Sequence, residues 1–187
     1  SLVGSEMCIR DSRHAETMNG GRRNIRRLTG RVERLGNRLA RARHFRGHGV
    51  HSPFVYALVR EVFMRRGFPA GDRAFYEALR AAGVSARRAA ELQNLLHHCG
   101  YATFGVNCAE AVELNVLTHE MPAAETLALV HGAEERGATV CLMGPYDSQE
   151  RTELCRRIAE AHPSTSVDNR GYLLLFNNHL PKQHFRI

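Results

Sequence analysis

The sequence predicts an α/β fold: an N-terminal helical region followed by a reduced Rossmann-like sheet with antiparallel C-terminal strands. Two observations carry this. Up to residue 99 the apolar residues recur at steps of three and four, the period of a helix. From Gly100 onward, short apolar runs of strand length alternate with helix-period stretches, the pattern of strands joined by covering helices. A third observation sets the direction of the last strands, whose connections are too short for parallel crossovers. The 187 residues, 43% of them hydrophobic, suffice for one core with appendages.

Taken in order, residues 1–12 (SLVGSEMCIRDS) resemble a translated sequencing adaptor rather than the start of a domain, which makes Met18 a plausible native start. The expected division is a leader over 1–17, a helical region over 18–99 and a reduced α/β domain over 100–187. Ile25, Leu28, Val32, Leu35 and Leu39 form one apolar helical stripe, with arginines on the other faces. Gly30 and Gly36 weaken that helix by about 1 kcal/mol each relative to alanine, so it depends on docking.

Ser52 is a good N-cap and Pro53 suits the first helical position. Phe54, Val55, Leu58, Val59, Val62 and Phe63 then make an apolar face up to about Arg66. Helices follow at 73–82 and, after a Ser85 cap, at 86–98. Residues 101–106 form a short buried strand, 109–120 a helix, and Pro122 opens another helix that Gly137 ends. Residues 138–143 are a continuous apolar strand. Ser148 caps a helix over 149–161, which His162-Pro163 stops. The remaining strands are 165–167, 172–176 and 183–187.

The net charge of +7 is concentrated: residues 22–46 hold ten arginines against Glu33, a local +9, leaving −2 for everything else. Such a segment attracts nucleic acid or an acidic partner surface, unless it is only a solvated helix face. No aromatic residues alternate with the arginines, so any such nucleic-acid binding would be nonspecific. Five cysteines without CxxC pairing, no ~18-residue apolar run and no signal core point to reduced thiols in a cytoplasmic protein without a membrane span.

Two histidines, His48 and His51, approach the Ser52 helix start. They are candidates for substrate contact. No acid or cysteine accompanies them, so no metal site is expected, and hydrogen bonding to backbone explains the pair equally. Gly144-Pro-Tyr-Asp147 follows the apolar strand, where open α/β sheets take ligands. Asp147 is the candidate base and Tyr146 a candidate stacking surface. A proline-initiated turn that caps the next helix accounts for the same residues without a ligand.

Two blocks carry a resemblance. Arg43-His-Phe-Arg-Gly-His-Gly-Val-His-Ser-Pro-Phe-Val-Tyr-Ala-Leu-Val59, with Ala82-Gly-Val-Ser-Ala-Arg-Arg-Ala-Ala-Glu91, resembles the leader of a group of bacterial class I methyltransferases that use S-adenosylmethionine (SAM). Val167-Asp-Asn-Arg-Gly-Tyr-Leu-Leu-Leu-Phe176 and Lys182-Gln-His-Phe-Arg186 are similar to the closing strands of that family. The resemblance implies a methyltransferase-type sheet, SAM as cofactor, and a small-molecule or macromolecular methyl acceptor. It implies a glycine-rich turn with a preceding acid after the first strand, and an acid ending the second strand for the ribose. Here that turn reads Ala102-Thr-Phe-Gly-Val-Asn-Cys-Ala109, so Gly105 and Asn107 are the candidates for cofactor contact, and the ribose acid has no counterpart. The 87 residues from Tyr101 to Ile187 are too few for the seven-stranded sheet. The expectation is a shortened, degenerate methyltransferase-like protein. The alternative is a non-catalytic binding module that uses the basic segment 22–46.

Overall fold

The computed structural model describes residues 52–65, 67 and 71–187. His48, His51, the basic segment 22–46 and the adaptor-like head lie outside these residues.

The first described helix, α1 (Pro53–Leu58), begins as the sequence predicts: the Ser52 hydroxyl accepts the Val55 N–H at 3.4 Å and Pro53 occupies the first turn. It continues as a π-helical turn over Val59–Phe63, closed by the Met64 N–H on the Val59 carbonyl. Next come α2 (Ala74–Ala81) and α3 (Ala86–Cys99), the latter capped by Ser85 and ended by Gly100 in the left-handed conformation. The rest is β1 (Phe104–Val106), β2 (Leu114–Leu117), α4 (Ala123–Arg136), β3 (Thr139–Met143), α5 (Gln149–Ala161), β4 (Thr165–Asp168), β5 (Tyr172–Leu175) and β6 (Gln183–Arg186).

The strands form one mixed sheet in the order β1-β2-β3-β5-β4-β6, consistent with a Rossmann-like fold. β1, β2 and β3 are parallel. β5 lies antiparallel between β3 and β4. Side chains on one face (Leu114, Val116, Cys141, Val167, Tyr172, Leu174) pack on α1, α2 and α3 through Val55, Leu58, Leu79, Leu92 and Leu95. On the other face Val140, Leu142, Leu173 and Leu175 meet α4 and α5 through Ala133, Leu154, Cys155 and Ile158. Because both faces are covered, β2, β3 and β5 are nearly continuous apolar runs.

Two expectations are corrected. The helix predicted over 109–120 does not form: residues 107–113 are a seven-residue link and 114–117 are β2. Ala109, Val112, Val116 and Leu117 satisfy a helical stripe. β2 is nevertheless an interior strand, buried at all four positions, and its pairing with both β1 and β3 outweighs local periodicity. The second correction concerns β6. β4 and β5 pair antiparallel as expected, but β6 runs parallel to β4. The link over 176–182 passes the end of β4 and sets β6 on its far side, held where the Ser164 and Thr165 hydroxyls meet the Leu180 and Pro181 carbonyls. A short link forces an antiparallel arrangement only on strands that become neighbours. Among the described residues no helix is long and apolar enough to cross a membrane.

Candidate functional site

The carboxyl ends of β1, β2, β3 and β4 lie along one edge of the sheet, where ligands of open α/β sheets bind. The structure brings Asn107 and Asp147 to this edge, on either side of β2. What surrounds them decides whether the edge is open.

Gly105 faces the link that follows it. A Cβ at this position would lie 2.6 Å from Cys108 Cβ and 3.4 Å from a Val112 methyl, so the missing side chain is what lets the link press onto β1. Asn107 has φ +52°, a left-handed conformation that asparagine tolerates better than most residues. Its amide oxygen accepts the Thr118 N–H at 2.8 Å and its nitrogen donates to Thr118 Oγ1 at 2.9 Å. Asn115 completes the stitching by donating to the Cys108 carbonyl at 2.6 Å. The polar groups predicted to meet a cofactor are spent in closing an unusually short parallel connection. Such connections ordinarily take a dozen or more residues.

Between the ends of β2 and β3 sits a residue that sequence reasoning missed. Arg151 is buried, and its guanidinium donates to the carbonyls of Met143 (3.2 Å), Thr118 (3.3 Å) and Leu117 (3.4 Å). It thereby fills the crevice at those strand ends. No sequence signal marked it out from the other arginines of its helix.

Asp147 is exposed, and its carboxylate lies against Gly144, where a Cβ would overlap it. Gly144 has φ +59°, a left-handed conformation that favours glycine. Ser148 caps α5 by accepting the Arg151 N–H at 3.0 Å. Tyr146 is half-buried and donates its hydroxyl to Asp168, a buried carboxylate at the end of β4 whose other oxygen accepts the Arg170 N–H at 3.1 Å. Asp168 was the second residue missed.

A third cluster joins α3 to the β4–β5 turn. Glu91, buried, accepts from Arg88 (2.5 Å), from Arg87 (3.0 Å) and from the Tyr172 hydroxyl (3.1 Å). Asn169 donates to that hydroxyl at 3.0 Å, and the Arg88 guanidinium lies 5.3 Å from the centre of the Tyr172 ring. Burial, then the neighbouring Glu91 charge, push the Tyr172 hydroxyl well up, so it stays a donor. Two of the thiols are unsuited to nucleophilic work: burial raises Cys141 and takes Cys155 to about 11.

Cavities occur away from this edge. One of about 280 Å³ lies between α4 and α5, bounded by Leu127, Val130, Ile158 and His162. Another of about 340 Å³ lies at the amino-terminal ends of β1 and β3, bounded by Tyr101, Val112, Glu113 and Arg136. Neither includes Gly105, Asn107, Tyr146 or Asp147. No protein-family model, characterised protein or solved structure matches the chain.

Proposed function

We propose that this chain is a shortened relative of the class I methyltransferases that does not take SAM at the carboxyl edge of its sheet and does not transfer a methyl group there. The relationship rests on the leader and closing-strand resemblance. It gains support from β5 lying antiparallel beside β4, as the closing strands of such a sheet would. The loss of the cofactor site rests on one observation: the space over Gly105 is filled by Cys108, while Asn107 is committed to Thr118. Methyl transfer needs a sulfonium held beside its acceptor in a dry, oriented site. The residues present do not fit that requirement, since the crevice beside β2 holds Arg151 and Asp147 is exposed.

Isothermal titration of the full chain with SAM and with its demethylated product is the test. No saturable heat is expected at millimolar ligand, and a clear isotherm with either compound would overturn the proposal.

The charge distribution favours a second reading, in which the segment 22–46 engages a polyanion such as RNA or DNA. Binding to a single-stranded oligonucleotide should weaken steeply as salt rises, because phosphate contacts release counterions. Binding that survives deletion of residues 18–46 would end that reading.

A further inference from the structure

The cavity at the amino-terminal ends of β1 and β3 is independent of the edge just described, and its chemistry is specific. It is an open groove bounded by Tyr101, Val112 and Ala138, and it carries one exposed charge of each sign. The acid is Glu113. One carboxylate oxygen, Oε2, is fixed by the N–H groups of Ala102 (2.6 Å) and Thr103 (2.9 Å) and faces the Thr103 hydroxyl at 3.3 Å. These bonds, the Thr103 N–H first, lower its pKa and keep it ionised. Oε1 has no protein donor among the described residues. The cation is Arg136 in the last turn of α4. It makes no hydrogen bond or ion pair with a described residue, and its guanidinium folds back to within 3.1 Å of where a Cβ on Gly132 would stand. Tyr101 does not serve as a further charge, because burial, then the neighbouring Cys99, push its hydroxyl well up, and that hydroxyl shares a hydrogen bond with Thr139 Oγ1 at 2.6 Å.

A simple anion would meet Glu113 and a simple cation would meet Arg136. A compact molecule bearing both signs on an apolar body satisfies the whole surface. We infer that this pocket binds a small apolar α-amino acid, its carboxylate on Arg136, its ammonium on Glu113 Oε1 and its side chain against Val112 and Ala138. A volume of about 340 Å³ is at the small end of ligand cavities, which suits a ligand of that size.

The test is isothermal titration of the full chain with L-leucine, with isocaproate (no ammonium) and with isoamylamine (no carboxylate). Saturable heat is expected from leucine, and binding at least about tenfold weaker from each analogue, since each loses a charge-assisted contact. Arg136→Gln should weaken leucine about tenfold without lowering the melting temperature, because Arg136 supports no other residue. Glu113→Gln, which keeps an oxygen for the two N–H groups, should weaken it similarly. No saturable heat from leucine, or affinity unchanged in Arg136→Gln, would overturn the inference. SAM also has an amino-acid end. Heat from SAM that persists in Arg136→Gln would therefore arise elsewhere and count against the proposed function, not against this pocket.

Discussion

Replacing Glu91 by alanine is expected to cost about 3–5 kcal/mol of folding stability, the range for breaking a buried charge cluster by removing one partner. The carboxylate accepts three donors from an environment that leaves it 5% exposed. Without it, Arg88 stays pressed against Gly171 and over Tyr172 with no anion, and the Tyr172 hydroxyl keeps only Asn169. Arg87 contributes little to this figure, because its side chain is 80% exposed and solvent screens it. Urea denaturation of the full chain measures the loss as a shift in midpoint at unchanged slope. Glu91→Gln should fall between alanine and the parent, since it keeps an acceptor but not the charge. A loss below about 1 kcal/mol for alanine would mean that the network is solvated and does not dock α3 onto the sheet.

The second large effect concerns Gly105. Gly105→Val is expected to destabilise the chain by about 1–3 kcal/mol or more, the cost of forcing atoms into a filled site. The new Cβ would stand 2.6 Å from Cys108 Cβ, and no rotamer moves a Cβ, so relief requires the link over 107–113 to lift from β1. That link is held by Asn107 and Asn115, which resist the shift. The cause can be isolated by a double-mutant cycle. Cys108→Gly should recover much of the loss in Gly105→Ala, giving a coupling of about 1 kcal/mol or more. A glycine kept only to let a cofactor approach would show neither the loss nor the coupling in ligand-free protein. Additive effects of the two substitutions would thus reopen the cofactor reading.

The local signals in this chain were legible because they act within a few residues. Ser52-Pro53, Ser85 and Ser148 each start a helix through a hydroxyl that reaches a backbone N–H three residues on. Gly100 and Gly137 end helices because the left-handed conformation costs glycine little. The continuous apolar run at 138–143 identified the interior strand β3 for the same reason. That reasoning failed at residues 109–120, where the apolar spacing satisfies both a helix and a strand covered on both faces. Asn115, a polar residue at a buried position, argued locally against a strand, yet it is the donor that closes the link on Cys108.

The candidate site was less legible. The family resemblance singled out Gly105 and Asn107, and position after a strand singled out Tyr146 and Asp147. Gly105 lies within β1, and three of the four are committed inside the fold: Gly105 to Cys108, Asn107 to Thr118 and Tyr146 to Asp168. Arg151 and Asp168 had no distinguishing pattern, because a side chain's partners 33 or 22 residues away are invisible to local spacing.

The α/β class, the helix caps at Ser52, Ser85 and Ser148, the helix stops at Gly100 and Gly137, the interior strand β3 and the concentration of positive charge in residues 22–46 are all written locally in the chain. These follow from capping, backbone freedom, periodicity and composition, all of which are local or additive. Assembly of the sheet sets the rest: residues 114–117 become a strand, β6 lies parallel beyond β4, and Cys108 and Arg151 fill the carboxyl edge. Those outcomes depend on which distant backbone edges and side chains compete for the same space and the same hydrogen bonds. That competition is resolved only when the whole sheet assembles.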